Sequence, residues 1–203
     1  MILVFGLITF IACLGMMAST MDLTSTVFCK VSGTGSKSTD LDGTTKHDFS
    51  LSRNTSLADG TAADQADLVY FDDGELAAAA DVDLDLAGTL SDVFGDTVTF
   101  ARIKVIMVSN VSDEEQSPAT DAILSVGGGT GQDGTNAFDT WITSTAANGS
   151  ERVFVRAGGT LLLFAPDATA YAVTAGTIDI LNILNTDGAD AGDYSIALIG
   201  VST

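Results

Sequence analysis

Hydrophobic positions in this chain fall into short groups separated by glycine, aspartate, asparagine and proline. The C-terminal quarter contains four such groups, each rich in β-branched or large apolar residues: Val153–Val155, Thr160–Phe164, Ile178–Leu184 and Tyr194–Val201. Short apolar runs bounded by turn residues are typical of strands. This part of the chain is therefore predicted to form a sheet.

The same pattern extends back to residue 67. Val82, Leu84 and Leu86 alternate with aspartates at 81, 83 and 85. A period of two predicts a half-buried strand with an acidic outer face. A longer apolar run, Phe100–Val108, predicts a strand near the centre of a sheet. We therefore predict an all-β fold, an antiparallel β-sandwich of jelly-roll type with about eight strands and Gly-rich loops.

Three regions differ in composition. Residues 67–203 form the predicted sandwich, and residues 22–66 are polar and turn-rich, with edge strands expected at 23–31 and 49–57. This second region is expected to pack against the sandwich or a neighbouring subunit. Residues 1–21 are apolar and uncharged up to Met21. They fit a membrane anchor, a signal segment that lacks the usual basic start, or an arm buried in an assembly; alternatively, the natural chain starts at Met21 and these residues are an upstream extension.

The charge balance narrows the classes of partner. The chain has 8 Lys+Arg against 27 Asp+Glu, a formal net charge of −19. Such a surface repels phosphate, so direct nucleic-acid binding is not expected, and a membrane contact would need residues 1–20 as an anchor. Cys13 and Cys29 both lie near the N-terminus, so no disulfide framework is expected in the sandwich.

No motif predicts catalysis. The stretch Gly129–Gly134 matches GxGxxG, but Asp133 would put a negative charge beside a pyrophosphate. His47 is the single histidine, is predicted to lie in a polar loop, and has no GxSxG partner motif. We therefore expect that the protein is not an enzyme and that it has no catalytic and no cofactor-binding residues.

Two acidic clusters are weak candidates for a metal site, with calcium as the ion. They comprise Asp81, Asp83, Asp85, Asp187, Asp190 and Asp193. The first cluster departs from the EF-hand pattern at Leu86 and Asp92, and alternate strand residues do not wrap around an ion. A solvated acidic face is the favoured interpretation, and no cofactor is predicted.

Scarce cations and glycine loops are the candidate subunit contacts. Arg152 and Arg156 flank the strand VFV beside a glycine turn. The complete candidate set is Arg152, Arg156, Gly158, Gly159, Gly127, Gly128 and Gly129. Three N-glycosylation sequons begin at Asn54, Asn110 and Asn148. They have a function only in a glycosylating secretory pathway, and we interpret them as ordinary loop residues.

Several stretches resemble small structural proteins of tailed bacteriophages. They are LADGTAADQADLVYFDD, DLDLAGTLSDVFGDTVTFARIKVIMVSN, LSVGGG, VFVRAGGTLLLFAPDATAYAVTAGTIDILNILN and YSIALIG, in one order from about residue 56 to residue 201. Relatives of this type begin near Met21, and the insertions SDEEQSPATD and GTGQDGTNAFDT depart from the pattern. The resemblance carries no catalytic residues.

The resemblance implies a component of the virion exterior. We expect a head decoration, cement or vertex spike protein that contacts the major capsid protein or other virion proteins. A homo-oligomer is expected, with a trimer favoured. The alternatives are a tail or receptor-binding fibre module, and a secreted or membrane-anchored bacterial β-domain.

Overall fold

The computed structural model describes residues 22–39, 43–88, 90–112, 122–129, 134–142 and 151–202. Residues 1–21, the insertion at 113–121, most of the GxGxxG stretch and the sequon at Asn148 lie outside these ranges. The described residues form thirteen strands: β1 (Ser25–Thr39), β2 (Gly43–Leu57), β3 (Leu68–Leu76), β4 (Asp81–Asp85), β5 (Leu90–Ser91), β6 (Thr97–Val98), β7 (Arg102–Asn110), β8 (Leu124–Gly127), β9 (Arg152–Val155), β10 (Thr160–Phe164), β11 (Tyr171–Ala172), β12 (Ile180–Asn185) and β13 (Gly192–Val201).

Two sheets make up the body of the molecule. A five-stranded sheet has the order β10-β7-β13-β3, with β11 also pairing with β7, and a four-stranded sheet has the order β4-β12-β8-β9. Every pairing between these strands is antiparallel. The predicted all-β antiparallel sandwich is confirmed, with more strands than the eight expected. The jelly-roll connectivity stays a prediction.

The core lies between the two sheets. Strand β13 buries alternate residues, and Ile196 and Leu198 share one hydrophobic cluster with Ile106, the partner of Leu198 on β7 in the same sheet, and with Ile183 of β12 in the other sheet. Leu84 of β4 is buried while its aspartate neighbours are not, so the predicted alternation is confirmed. Burying one such side chain stabilises the fold by roughly 1.5–3 kcal/mol, which is why period-two patterning fixes which face is inside.

Two buried asparagines brace the ends of the strands. The Asn110 Nδ2 donates to the carbonyl oxygens of Ala122 at 2.8 Å and Val155 at 3.0 Å, and its Oδ1 accepts from the Ser112 N–H. The Asn185 Nδ2 donates to three carbonyls, among them that of Asp190 at 2.8 Å. Each amide therefore satisfies backbone groups that would otherwise be buried without partners.

The N-terminal region departs from the prediction. Strands occur where they were expected, at 23–31 and 49–57, but they extend much further: β1 and β2 are each fifteen residues long and pair with each other in one uninterrupted register from Ser25↔Leu57 to Thr39↔Gly43. We call this two-stranded element the ribbon. His47 lies within β2, so its prediction as a loop residue was wrong, because turn-rich composition does not prevent serine and threonine from pairing in a ribbon.

The base of the ribbon is anchored to the five-stranded sheet. Leu57 is fully buried with Ala66 and Val105, and Val27, Leu23, Leu162, Phe164 and Ile199 pack around them. Lys104, also fully buried, donates through Nζ to the Ala62 and Pro166 carbonyls beside this cluster. Burial lowers the pKa of Lys104. The ribbon therefore starts from a fixed position on the body.

Candidate functional site

One face of the ribbon is apolar beyond its anchored base. In the register of β1 and β2, Val31 pairs with Leu51, and Phe49 pairs with Gly33. Phe49 is 52% exposed, Val31 59% and Leu51 76%. Large apolar side chains on a projecting element are not shielded by their own molecule. This face is consequently a candidate interaction surface.

Glycine shapes the same face. A Cβ on Gly33 would lie 2.7 Å from the Phe49 Cζ. The ring therefore lies across the glycine, where it covers backbone that would otherwise face water. Beyond this point the face becomes polar, with His47 opposite Gly35 and Lys37 opposite Thr45. The ribbon face thus changes from apolar at Val31, Leu51 and Phe49 to cationic at Lys37 near its far end, and Arg53, opposite Cys29, adds a second cation on this face nearer the base.

The outer face of the five-stranded sheet carries a row of apolar residues. The register places Leu162, Met107, Ala197 and Phe71 side by side across β10, β7, β13 and β3. Met107 is 41% exposed and Phe71 is 53% exposed. This apolar row borders the anchored base of the ribbon.

A shallow groove lies between the row and the ribbon base. It has a volume of about 280 Å³ and is lined by Val27 and Phe28 of the ribbon and by Met107, Leu162 and Ala197 of the sheet, among others. Phe28 itself is 60% exposed. The groove therefore exposes apolar walls on both sides.

The outer face becomes acidic beyond the apolar row. Asp73 pairs with Ser195, and Glu75 pairs directly with Asp193. All three acidic residues are exposed. Like charges directly opposite each other destabilise an antiparallel pair. A cationic group placed here would relieve that repulsion.

Tyr194 lies beneath this acidic end. It is buried, and its hydroxyl donates to the Asp72 Oδ2 at 3.1 Å. Burial, together with the Asp72 carboxylate, raises the pKa of Tyr194 to about 12. The pKa of Tyr70 is raised for the same two reasons. Both phenols are held neutral by the fold.

Alkaline pH is expected to destabilise the protein through Tyr194. An unfolded tyrosine ionises near pH 10, so the stabilisation is fully present below about pH 10 and is lost as the pH rises towards about 12. A difference of about two pKa units between the folded and the unfolded state corresponds to about 2–3 kcal/mol of free energy of unfolding. Tyr194→Phe should therefore lose less free energy of unfolding than the wild type between about pH 8 and about pH 11, as measured by urea titration. Equal losses of free energy of unfolding in the variant and the wild type would contradict the assignment of this effect to Tyr194.

The predicted contact residue Arg152 makes bonds within its own chain. Its Nη1 donates to the Gly127 carbonyl at 3.2 Å and to the Asn182 Oδ1 at 3.3 Å. The Asn182 Nδ2 donates in turn to Asp81 at 2.6 Å and Asp83 at 2.8 Å. This network ties all four strands of the four-stranded sheet together. Arg152 and two of the predicted metal-site aspartates therefore have a structural role.

The glycines predicted as contacts divide into two groups. Gly127, Gly128 and Gly129 are buried, and a Cβ on any of them would lie within 2.5 Å of an atom of the same chain. Gly158 and Gly159 form the turn after β9 and exchange backbone hydrogen bonds with Asn110. Arg156, in the same turn, is exposed. Its role in a subunit contact stays a prediction.

The second acidic cluster also forms local structure. The Asp187 Oδ1 accepts from the N–H groups of Ala189 and Asp190, at 2.7 and 3.0 Å, and these bonds lower the pKa of Asp187. Asp85 accepts from the Ala87 N–H at 3.1 Å. Within the described ranges, no group of three or more His, Cys, Asp or Glu side chains is placed to hold a metal ion.

The sequence did not reveal the three buried asparagines, Asn110, Asn182 and Asn185, or the buried Lys104. Asn110 is buried and bonded on both sides of its amide, so this sequon is not presented at the surface, whereas Asn54 in the ribbon is exposed. A lone polar residue at the end of an apolar run carries no signal of burial. The ribbon had a partial signal, since Val27, Cys29 and Val31 are at alternate positions and so are Phe49 and Leu51.

Comparisons with known proteins add no relative. No protein-family model matches the chain, and the search of curated proteins gives no match. In the part of the chain described here, no helix is long and apolar enough to cross a membrane.

Proposed function

We propose that this protein is a non-enzymatic structural subunit of a bacteriophage virion, a decoration, cement or spike protein of the head that acts through contacts between subunits. The observation that carries the proposal is the ribbon, whose apolar face is exposed beyond its anchored base. The virion setting comes from the resemblance of residues 56–201 to phage structural proteins.

The energetics of the ribbon support an assembly role. A two-stranded element without a further strand or covering layer is only marginally stable in water. Val31, Phe49 and Leu51 each remain more than half exposed. Since full burial of such a side chain is worth roughly 1.5–3 kcal/mol, covering all three would contribute several kcal/mol. Repeated over a symmetric lattice, even weak contacts of this kind give high avidity.

The charge distribution supports the same role. Of the 27 acidic residues, Asp22, Asp40, Asp42 and Asp48 precede residue 58, which leaves 23 in residues 58–203 beside four of the eight Lys and Arg residues. The ribbon holds the other four cations, listed as Lys30, Lys37, Lys46 and Arg53. Highly acidic bodies repel one another and stay dispersed, so contacts are directed to the ribbon.

Removing the apolar face of the ribbon is expected to abolish binding to particles. The double variant Val31→Ser/Leu51→Ser should lose at least about tenfold in co-sedimentation with particles of the phage that encodes the protein, because burial of both side chains is lost. The matched control is Val93→Ser/Phe94→Ser, which removes an equally exposed apolar pair at the turn between β5 and β6. Failure of the wild-type protein to sediment with particles would contradict the proposed function.

A further inference from the structure

We propose that the ribbon of one copy lies across the outer face of the five-stranded sheet of a second copy. This inference rests on the proposed function and names the partner of the ribbon, a second copy of the same chain. The occupant of the groove beside Met107 is then the apolar face of a neighbouring ribbon.

The first argument is the matching order of residue types. Outward along the ribbon, the apolar pair Val31 and Leu51 and then Phe49 are followed by His47 and Lys37. Along the sheet, the apolar row that contains Phe71 and Met107 is followed by the acidic residues Asp73, Glu75 and Asp193. If the apolar parts are superposed, the basic end of the ribbon lies on the acidic end of the sheet. Complementary potentials of this kind fix orientation and register at an interface.

The second argument is that each surface remains exposed in a single copy. The base of the ribbon covers Val105, which is 4% exposed, but leaves Met107 and Phe71 in the neighbouring row open. Farther along the ribbon, Leu51 is 76% exposed. Within one chain the ribbon segment that carries Leu51 leaves this row uncovered, whereas a second copy can supply a ribbon segment to cover it.

The third argument is electrostatic. Two bodies with most of the acidic residues of the chain repel each other at any direct contact. The sequence from residue 25 to residue 57, which includes both ribbon strands, has four Lys and Arg residues against three aspartates. A contact between ribbon and body therefore joins a slightly basic element to an acidic one. The ribbon and the sheet face are different surface patches of one chain. Two copies can therefore form a dimer in which each ribbon binds the sheet face of the other copy, or several copies can form a ring in which each ribbon binds the next copy.

The test uses the full-length chain and two complementary variants. The ribbon variant is Val31→Ser/Leu51→Ser, and the face variant is Phe71→Ser/Met107→Ser. All four positions are exposed, so thermal melts followed by circular dichroism should show both variants folded. Size exclusion with light scattering should give an oligomer for the wild type and for the Val93→Ser/Phe94→Ser control. Each variant alone should dissociate at least about tenfold more readily.

Mixing the two variants gives the decisive result. The ribbon variant keeps an intact sheet face and the face variant keeps an intact ribbon, so the mixture should form a heterodimer that neither variant forms alone. Two outcomes would overturn the inference: no heterodimer in the mixture, or dissociation of the ribbon variant while the face variant stays assembled. A wild-type monomer would also overturn it, including the case in which residues 1–20 cover the groove. The proposed function is judged separately, by sedimentation with particles.

A charge reversal tests the orientation. Lys37→Glu should weaken association several-fold at low ionic strength, and adding Asp73→Lys and Glu75→Lys to the same chain should restore it. Each change is made at an exposed position. Association that Lys37→Glu leaves unchanged, or that the added lysines weaken further, would overturn the proposed orientation.

Discussion

Asn110→Asp is expected to lower the free energy of unfolding by about 3 kcal/mol or more. The substitution preserves shape but replaces an amide N–H₂ with a carboxylate oxygen. That oxygen would face the Ala122 and Val155 carbonyls at the distances where Nδ2 now donates, 2.8 and 3.0 Å. Three acceptors would then converge at a site that is 1% exposed. Two lost hydrogen bonds and a buried charge add up to this effect.

Urea unfolding at neutral pH measures it. The matched control is Asn54→Asp, the same chemical change at the exposed sequon of the ribbon, for which we expect a change within about 0.5 kcal/mol. The two asparagines have the same sequence context for glycosylation but opposite environments. If both variants lost equal stability, the bracing role of Asn110 would be disproved.

Gly127→Ala is expected to cost about 3 kcal/mol or more, for two reasons that add. The φ of Gly127 is +113°, a region that residues with a Cβ rarely occupy, at a cost of roughly 1–3 kcal/mol. A Cβ there would also lie 2.5 Å from the backbone oxygen of Glu151, at the pairing of β8 with β9. Because that atom belongs to the backbone, relief requires displacement of an edge strand.

Gly176→Ala is the comparison variant, with a positive φ but no close approach. Gly176 has a φ of +72°, and no atom lies within 4 Å of the position that its Cβ would occupy. This variant should lose only about 1 kcal/mol, the cost of the backbone conformation alone. Thermal or urea unfolding of both variants gives the comparison. A loss at Gly127 no larger than that at Gly176 would show that the close approach to Glu151 has no energetic consequence.

The body of the fold was predictable because local pattern and tertiary position agree there. Asp81–Asp85 alternates with apolar residues, and the strand between these residues buries Leu84 as the period requires. The ribbon was harder to predict, since its apolar residues are few and its strands pair only with each other. The pairing register of β1 and β2 depends on the length of the connection between them, and this register is not encoded by composition.

The candidate site was predictable only in part. Scarce cations were candidate subunit contacts, but Arg152 bonds to Asn182 and Gly127 of its own chain, and the cations of the ribbon were not considered. The glycine cluster was interpreted as a surface loop, although Gly127 is buried at a positive φ in β8. A cluster of glycines is expected both where two backbone segments approach closely and where a loop is flexible. The sequence alone does not distinguish these two cases, whereas the structure does.

The ribbon also has a mechanical consequence for any assembly in which it takes part. Fifteen paired residues span about 50 Å at 3.3 Å per residue. A chain can extend no further than about 3.3–3.6 Å per residue, so strands in this conformation are already nearly taut. Both strands would share a pulling force through their covalent backbones. An inextensible tether of this kind sets an upper limit on the distance between neighbouring bodies, and a lattice that swells beyond it must release a contact.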